Sequence, residues 1–288
     1  MRTPEYFDPT HLDEALGLLA QYGAEAKVVA GGQSLMVMLR QGLIEPPALI
    51  DLGRIASLRD LDHHDGVLRL GAMTTIRTIE MDPAIRAQFP TLAQAAGAVG
   101  PMQIRNMGTV GGNASHNALG ADLPPALLAL EARALIAGPG GTREVSLDEF
   151  FTGYFETCVA PDEIVSAFSV PTPPRASTGA YLKFSSRAVD TSIVGIAVVL
   201  EREEATVRDV RIAIGGVGPV PFRARRAEAS LRGVPWSERA LGEAGEIAAQ
   251  EAAPMSDVHA SAGYRKWLVR VLVPRALTAA SAGARSNG

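Results

Sequence analysis

Apolar residues recur at Leu12, Ala15, Leu16, Leu19 and Tyr22, one face of a helical repeat, with Thr10 and Asp13 as a start signal and Gly23 as a stop. Lys27-Val28-Val29-Ala30 then reads as a buried strand running into Gly31-Gly32-Gln33-Ser34, and Leu35 to Arg40 as a short helix. Leu49 to Leu52 and Val67 to Leu70 are further strands, and Thr74 or Thr75 caps a helix after the second. Helical spacing returns from Thr91 to Val99. A second glycine turn, Gly108 to Asn113, precedes Asp122-Leu123-Pro124-Pro125 and the apolar run Ala126 to Leu130, with Asp122 as a cap. Arg133–Ala137 and Thr142–Val145 pair as a hairpin across Gly138-Pro139-Gly140-Gly141, and Ile164 to Val170 is a strand.

The proline cluster 171–174 lacks the donors for a central element and marks a boundary. Three strands follow, at Ala180 to Phe184, Ile193 to Leu200 and Val207 to Ile214, then helical patterns at 228–231, 241–252 and 264–277. Pro274 should kink the last of these or divide it in two, and the end, SAGARSNG, reads as frayed. Strands and helices mix without a repeat, which predicts an α+β chain.

Composition removes several function classes. Of 288 residues 47% are hydrophobic and 20% charged, a folded globular balance. The net charge of −4 is spread along the chain, so no basic face for nucleic acid is expected. The first residues lack an apolar signal core and no run approaches a spanning helix, which predicts a cytoplasmic protein. One cysteine, Cys158, leaves no thiolate set for an iron–sulfur or zinc site, so any such cluster must sit on another chain. His11, His63, His64, His116 and His259 show no metal-binding spacing, and DLDHHDG reads as a polar turn.

The two glycine turns carry the candidate chemistry. Taken alone, each double glycine is an ordinary tight turn, and neither is a Rossmann or Walker loop. Yet A-G-G-Q-S at 30–34 and T-V-G-G-N at 109–113 each follow an extended segment. Adjacent glycines let several N–H groups converge on an anion, and two such nests could clasp a diphosphate.

The strings AGGQSLMVMLR and IRNMGTVGGNASHNALGADLPPALLAL resemble the paired FAD-binding signature of the flavoprotein subunits of molybdenum hydroxylases, the xanthine dehydrogenase and aerobic carbon monoxide dehydrogenase family. The likeness continues through VLRLGAMTT, YLKFSSRAVDTSIVGIAVVL and IAIGGVGPVPFRA, over essentially the whole chain. It implies a PCMH-type, vanillyl-alcohol-oxidase-like FAD domain over 1–174, with subdomains of about 1–56 and 57–174, and over 175–288 a smaller α+β domain of the carbon monoxide dehydrogenase flavoprotein type, with a three-stranded sheet and helices. Ala30, Gly31, Gly32, Gln33 and Ser34 would clasp the FAD diphosphate, mostly through backbone donors, with Thr109, Val110, Gly111, Gly112 and Asn113 as a second clamp. Asp122 would accept a hydrogen bond from the nucleotide part, and Lys183, one of only three lysines, would lie near the flavin ring. Asp190 matches a family position that either touches flavin or holds Arg187.

Departures are Leu119 where several relatives have proline, and Thr191 where some have a flavin-facing tyrosine. His116 lies in the clamp, but the family binds FAD noncovalently. The resemblance implies no catalytic residue and no metal on this chain. Electrons would come from [2Fe–2S] clusters of a small partner subunit and leave through FAD to quinone, cytochrome, NAD or oxygen, while a large molybdopterin subunit oxidises the substrate (CO, a purine or an N-heterocycle). The chain is then cytoplasmic, or held at the inner membrane face through its partners. The competing readings are a stand-alone FAD oxidoreductase of the same superfamily and a flavin-free assembly module.

Overall fold

The computed structural model describes residues 3–187 and 190–283. Among the described residues, three larger sheets follow one another along the chain, besides the two-stranded pair Phe151–Gly153 and Glu156–Thr157. The first is parallel, in the spatial order Glu5–Phe7, Ala48–Asp51, Lys27–Val29. A parallel pair needs a crossover, and the helix Leu12–Tyr22 supplies it, turning Ala15 and Leu19 onto Ala48, Ile50, Leu52 and Leu58. Its N-terminus is tied down by Glu14, not Asp13: the carboxylate accepts the Thr10 N–H at 2.9 Å.

The second sheet is antiparallel, ordered Leu61–His64, Val67–Gly71, Ile164–Pro171, Arg133–Gly138, Gly141–Ser146. His63 and His64 therefore lie in a strand. The turn is the following Asp65-Gly66, both at positive φ. The His63 ring rests 5.5 Å from that of Phe89, and its Nε2 is 3.1 Å from Thr172 Oγ1. The short helices Ile76–Met81, Pro83–Gln88 and Pro90–Ala98, with Val110–His116 and Leu123–Ala129, share the main core with this sheet.

The third sheet has four antiparallel strands, Ser177–Phe184, Val194–Glu203, Thr206–Gly215 and Phe222–Arg223. The fourth is two residues long, too short to announce itself in a pattern. Alternate residues of these strands serve different cores. Tyr181, Ala197, Val199 and Ala213 join the core of the preceding sheet, while Ile196, Val198, Leu200, Ile212 and Ile214 pack on the C-terminal helices Arg225–Leu231, Glu238–Glu251 and Ala262–Gly283. Burial on both faces explains why 193–200 is a nearly unbroken apolar run.

The last helix runs through Pro274 as one element, and Ser281 to Gly283, read as frayed, belong to it. Proline removes the donor to the carbonyl four residues earlier, that of Arg270. Gly245 of the neighbouring helix meets this spot: a β-carbon there would lie 2.5 Å from the Arg270 oxygen and 3.0 Å from the proline ring. Among the described residues no helix is long and apolar enough to cross a membrane.

Candidate flavin site

The strand Lys27–Val29 ends at Ala30, and Gly32 takes φ +68° to turn the chain into the helix Leu35–Arg40. Between them the N–H groups of Gly31, Gly32, Gln33 and Ser34 donate to no acceptor among the described residues, while the Gln33 amide bonds back to the Gly31 carbonyl at 3.1 Å. Four successive unpaired donors form the kind of nest that receives an anion.

The second segment is built differently. Thr109 caps the helix Val110–His116, its hydroxyl accepting from Gly112 N–H at 3.1 Å. Val110 and Gly111 donate to the carbonyls of Thr74 and Ala72, and Asn113 donates to that of Thr109. The double glycine begins a helix bolted to the end of the strand Val67–Gly71, with only the Thr109 N–H unpaired among the described residues, so it is not a second nest of the first kind. Gly111 is required by contact: a β-carbon would lie 2.6 Å from that of Ala72.

The two segments touch. A β-carbon on Gly31 would overlap the Met107 carbonyl oxygen and come within 2.8 Å of Gly108, and one on Gly112 would reach 3.4 Å from that of Ala30. Asn113 Oδ1, on the helix that approaches the nest through Gly112, is buried without a hydrogen-bond partner, as is the hydroxyl of Thr74. A buried unpaired oxygen costs about 1–3 kcal/mol. Asn113 Oδ1 calls for a donor, and a diphosphate offers none. A sugar or ribityl hydroxyl does. An anion nest beside an amide that needs a hydroxyl fits a dinucleotide with both features, as FAD has.

Asp122 sits just beyond, 4% exposed, at the start of Leu123–Ala129 but with no side-chain cap bond to that helix. Its Oδ1 accepts from Tyr181 Oη at 2.6 Å and Ser192 Oγ at 2.5 Å, and its Oδ2 from Lys183 Nζ at 3.0 Å. Burial pushes the Asp122 carboxyl up from its ordinary value, against the Lys183 charge and the three hydrogen bonds. Burial beside that carboxylate also drives the Tyr181 phenol well up, so it donates as a neutral hydroxyl. Lys183 also donates to Ala98 O at 2.9 Å, at the end of Pro90–Ala98. The loop is locked by Gly120 at φ +80°, whose missing β-carbon leaves room for the Ser192 carbonyl, and by the Ser192 N–H to Gly120 O bond at 3.1 Å.

The structure thus brings 30–34 against 109–113, and Asp122 against Lys183. Tyr181 and Ser192 escaped the sequence reading. Tyr181 is two residues from Lys183 on one strand, so alternation alone puts both on one face. Ser192 has no comparable signal. Asp190 contacts Arg187 through its N–H, bonded to the Arg187 carbonyl at 3.1 Å. Thr191 is exposed, and Ala188 and Val189 lie outside the described residues. His116 is half-buried with its ring 5.2 Å from that of Phe155, and burial lowers its pKa.

Comparison with known proteins decides the family. Residues 2–173 match the FAD binding domain in molybdopterin dehydrogenase, and residues 179–280 the CO dehydrogenase flavoprotein C-terminal domain. The chain belongs to the FAD-binding subunits of the molybdenum hydroxylases. It is 34% identical over 276 residues to the carbon monoxide dehydrogenase medium chain of Hydrogenophaga pseudoflava, covering 96% of each. It is 35% identical over 281 residues to the nicotine 6-hydroxylase medium subunit of Paenarthrobacter nicotinovorans, covering 98% of each. Among solved structures, carbon monoxide dehydrogenase from Hydrogenophaga pseudoflava superposes with a TM-score of 0.95 at 35% identity over 98% of each chain. Members of this family are oxidoreductase subunits, and the α+β flavoprotein fold expected from sequence is the one observed.

Proposed function

We propose that this FAD-binding subunit holds the diphosphate on the free N–H groups of Gly31, Gly32, Gln33 and Ser34, with Ala30 closing the strand end behind them. The segment Thr109, Val110, Gly111, Gly112 and Asn113 forms the opposite wall, contributing the Thr109 N–H and the Asn113 amide while its other donors stay within the fold. Lys183 lies on the flavin side, paired with Asp122. When bound, FAD supplies exchange between one-electron and two-electron carriers. The chain's own residues position it, and none is placed to react with a substrate.

The unpaired nest and the unpaired Asn113 oxygen, on two segments that touch, carry this reading, and the family membership supports it. The division into a FAD domain over 1–174 and a C-terminal domain over 175–288 belongs to the same proposal, supported by the family matches on either side of the proline cluster. So do a large molybdenum subunit and a small [2Fe–2S] subunit as partners, cytoplasmic residence, and an external electron acceptor. The names of relatives support the first: one is a medium chain of carbon monoxide dehydrogenase, another a medium subunit of nicotine 6-hydroxylase. Purifying the tagged chain from its natural host tests it. Flavin, molybdenum and iron should elute together with two further chains. Elution of the flavoprotein alone, turning over a small alcohol by itself, would instead establish a stand-alone oxidoreductase.

A further inference from the structure

The segment 109–113 is reached through Met102–Met107, a helix with little of its own to hold it. It is six residues long and none is fully buried: Ile104 touches the edge of the main core, while Met102 and Met107 are 51% and 58% exposed. Neither its length nor its apolar contact stabilises such a helix much. Yet its last carbonyl, that of Met107, is the one against which Gly31 closes. One backbone bond ties the helix end to the neighbouring Ile76–Met81, from Ile76 N–H to the Gly108 carbonyl at 2.9 Å. A rod pinned at one end can swing, so its place beside the nest needs further fixed points.

Arg105 supplies them. Its side chain, 14% exposed, donates from Nε to Glu80 Oε2 at 2.8 Å and from Nη1 to the carbonyls of Gly100 and Val99 at 2.7 and 3.2 Å. Glu80 lies on Ile76–Met81 and also accepts from Arg77 at 2.8 Å. The carbonyl before those two, Ala98, accepts from Lys183, so three successive carbonyls of this turn are held by two cations. A planar guanidinium reaches a carboxylate and two carbonyls from one fixed geometry, which a single ammonium does not match. We propose that Arg105 is a positioning residue for the cofactor: through the helix Met102–Met107 it holds Met107 and the start of the 109–113 wall against the nest, so that the bound diphosphate is retained. This deepens the reading of the two segments as a FAD site and rests on it.

The test is the rate at which FAD leaves the loaded full chain, followed by flavin fluorescence, in Arg105→Met. That variant leaves Glu80 paired with Arg77, so no carboxylate is orphaned. Arg143→Met is the control, since Arg143 makes the same kind of clasp, to Glu163 and to the Cys158 carbonyl, on the strand Gly141–Ser146 outside both segments. With both variants folded by circular dichroism at the assay temperature, FAD should leave Arg105→Met about tenfold faster or more, the order of one charge-assisted hydrogen bond, and leave Arg143→Met at the parental rate. Arg105→Lys keeps the charge beside Glu80 and should recover part of the loss. A parental rate in Arg105→Met would show that the backbone holds the wall unaided, and equal acceleration in both arginine variants would show a general loosening of the domain. Either overturns the proposal. Should Arg105→Met fail to fold, Arg105→Lys decides in its place: release about threefold faster or more supports the assignment, and a lesser change overturns it. A parent chain that takes up no FAD overturns the flavin reading itself, and this proposal with it.

Discussion

A β-carbon on Gly31 would run into the Met107 carbonyl, whereas Gly32 has little near it except the Met36 side chain at 3.2 Å and is needed for its φ of +68°. The two alanine substitutions should therefore differ. Gly31→Ala forces apart the segments that face one another, and should both abolish FAD binding and lower the thermal midpoint. Gly32→Ala should cost about 1–2 kcal/mol for the left-handed backbone and weaken FAD while the fold survives. Calorimetry and flavin titration on both variants check this, and equal effects would show that the contact does not matter. Asn113 offers the converse. Replacing it by alanine removes the unpaired buried oxygen, so the FAD-free chain should be no less stable than the parent, while FAD affinity should fall roughly fivefold to tenfold for the lost hydrogen bond. Residue-scale legibility was uneven for a physical reason. Glycine pairs advertise themselves. The use of a glycine for contact, as at Gly111 against Ala72, depends on a neighbour about forty residues away and leaves no local trace.

Among the elements, the longer ones were readable from period and punctuation: Leu12–Tyr22, the hairpin Arg133–Gly138 with Gly141–Ser146, and the three long strands of the last sheet, with the six-residue Leu35–Arg40 marked by the glycines on either side of it. Those that escaped are short or disguised. Pro83–Gln88 and Met102–Met107 span under two turns, too few for a helical period to declare itself. Val110–His116 carries two glycines where a helix is disfavoured, and exists because Thr109 caps it and because Ala72 and Thr74 take its first N–H groups. The strand holding His63 and His64 is polar at three successive positions, Asp62 to His64, and so lacks the alternation that announces a strand. At this scale the C-terminal helices carry a prediction. Glu228 is 1% exposed and holds buried Arg223 through two bonds of 2.7 Å, besides accepting the Ile212 N–H. Glu228→Ala leaves that guanidinium without its main partner and should destabilise the chain by about 3–5 kcal/mol in denaturant unfolding. A loss below 1 kcal/mol would mean that Glu131, which also reaches Arg223, suffices alone.

In the whole molecule the third sheet is shared between cores, with Tyr181 on one side and Ile196 and Ile214 on the other, so the regions on either side of the proline cluster are expected to unfold together. The prolines suggest a boundary between two domains, but the depth of contact across it has no sequence signal, since it depends on which strand faces point where. Acid sensitivity belongs to this scale. Burial pushes Asp257 up, but Arg265 and the N–H groups of Ala260 and His259 outweigh it and hold the carboxyl at about 2 against an ordinary 3.8. Its folded pKa is depressed, so the stability it contributes is present above pH 3.8 and is lost as pH falls toward about 2. Glu80 and Glu163 are lowered from 4.5 by Arg77 and Arg105 and by Arg143, and act in the same direction. Asp122 is raised and opposes them, because its burial cost is relieved by protonation. Glu14 and Asp209 are lowered as well, and five against one predicts a thermal midpoint that falls on acidification below pH 4.5, with Asp257→Asn flattening the part below 3.8. Parallel parent and variant curves would contradict it.

The central claim is that the segments 30–34 and 109–113 hold FAD together. The most direct measurement is the visible absorbance of the purified chain after incubation with FAD and removal of the excess, beside the variant carrying Gly32→Val and Gly112→Val. Flavin bands in the parent, absent from a variant whose circular dichroism is unchanged, are the predicted result. Equal flavin in both, or none in the parent, would contradict the account.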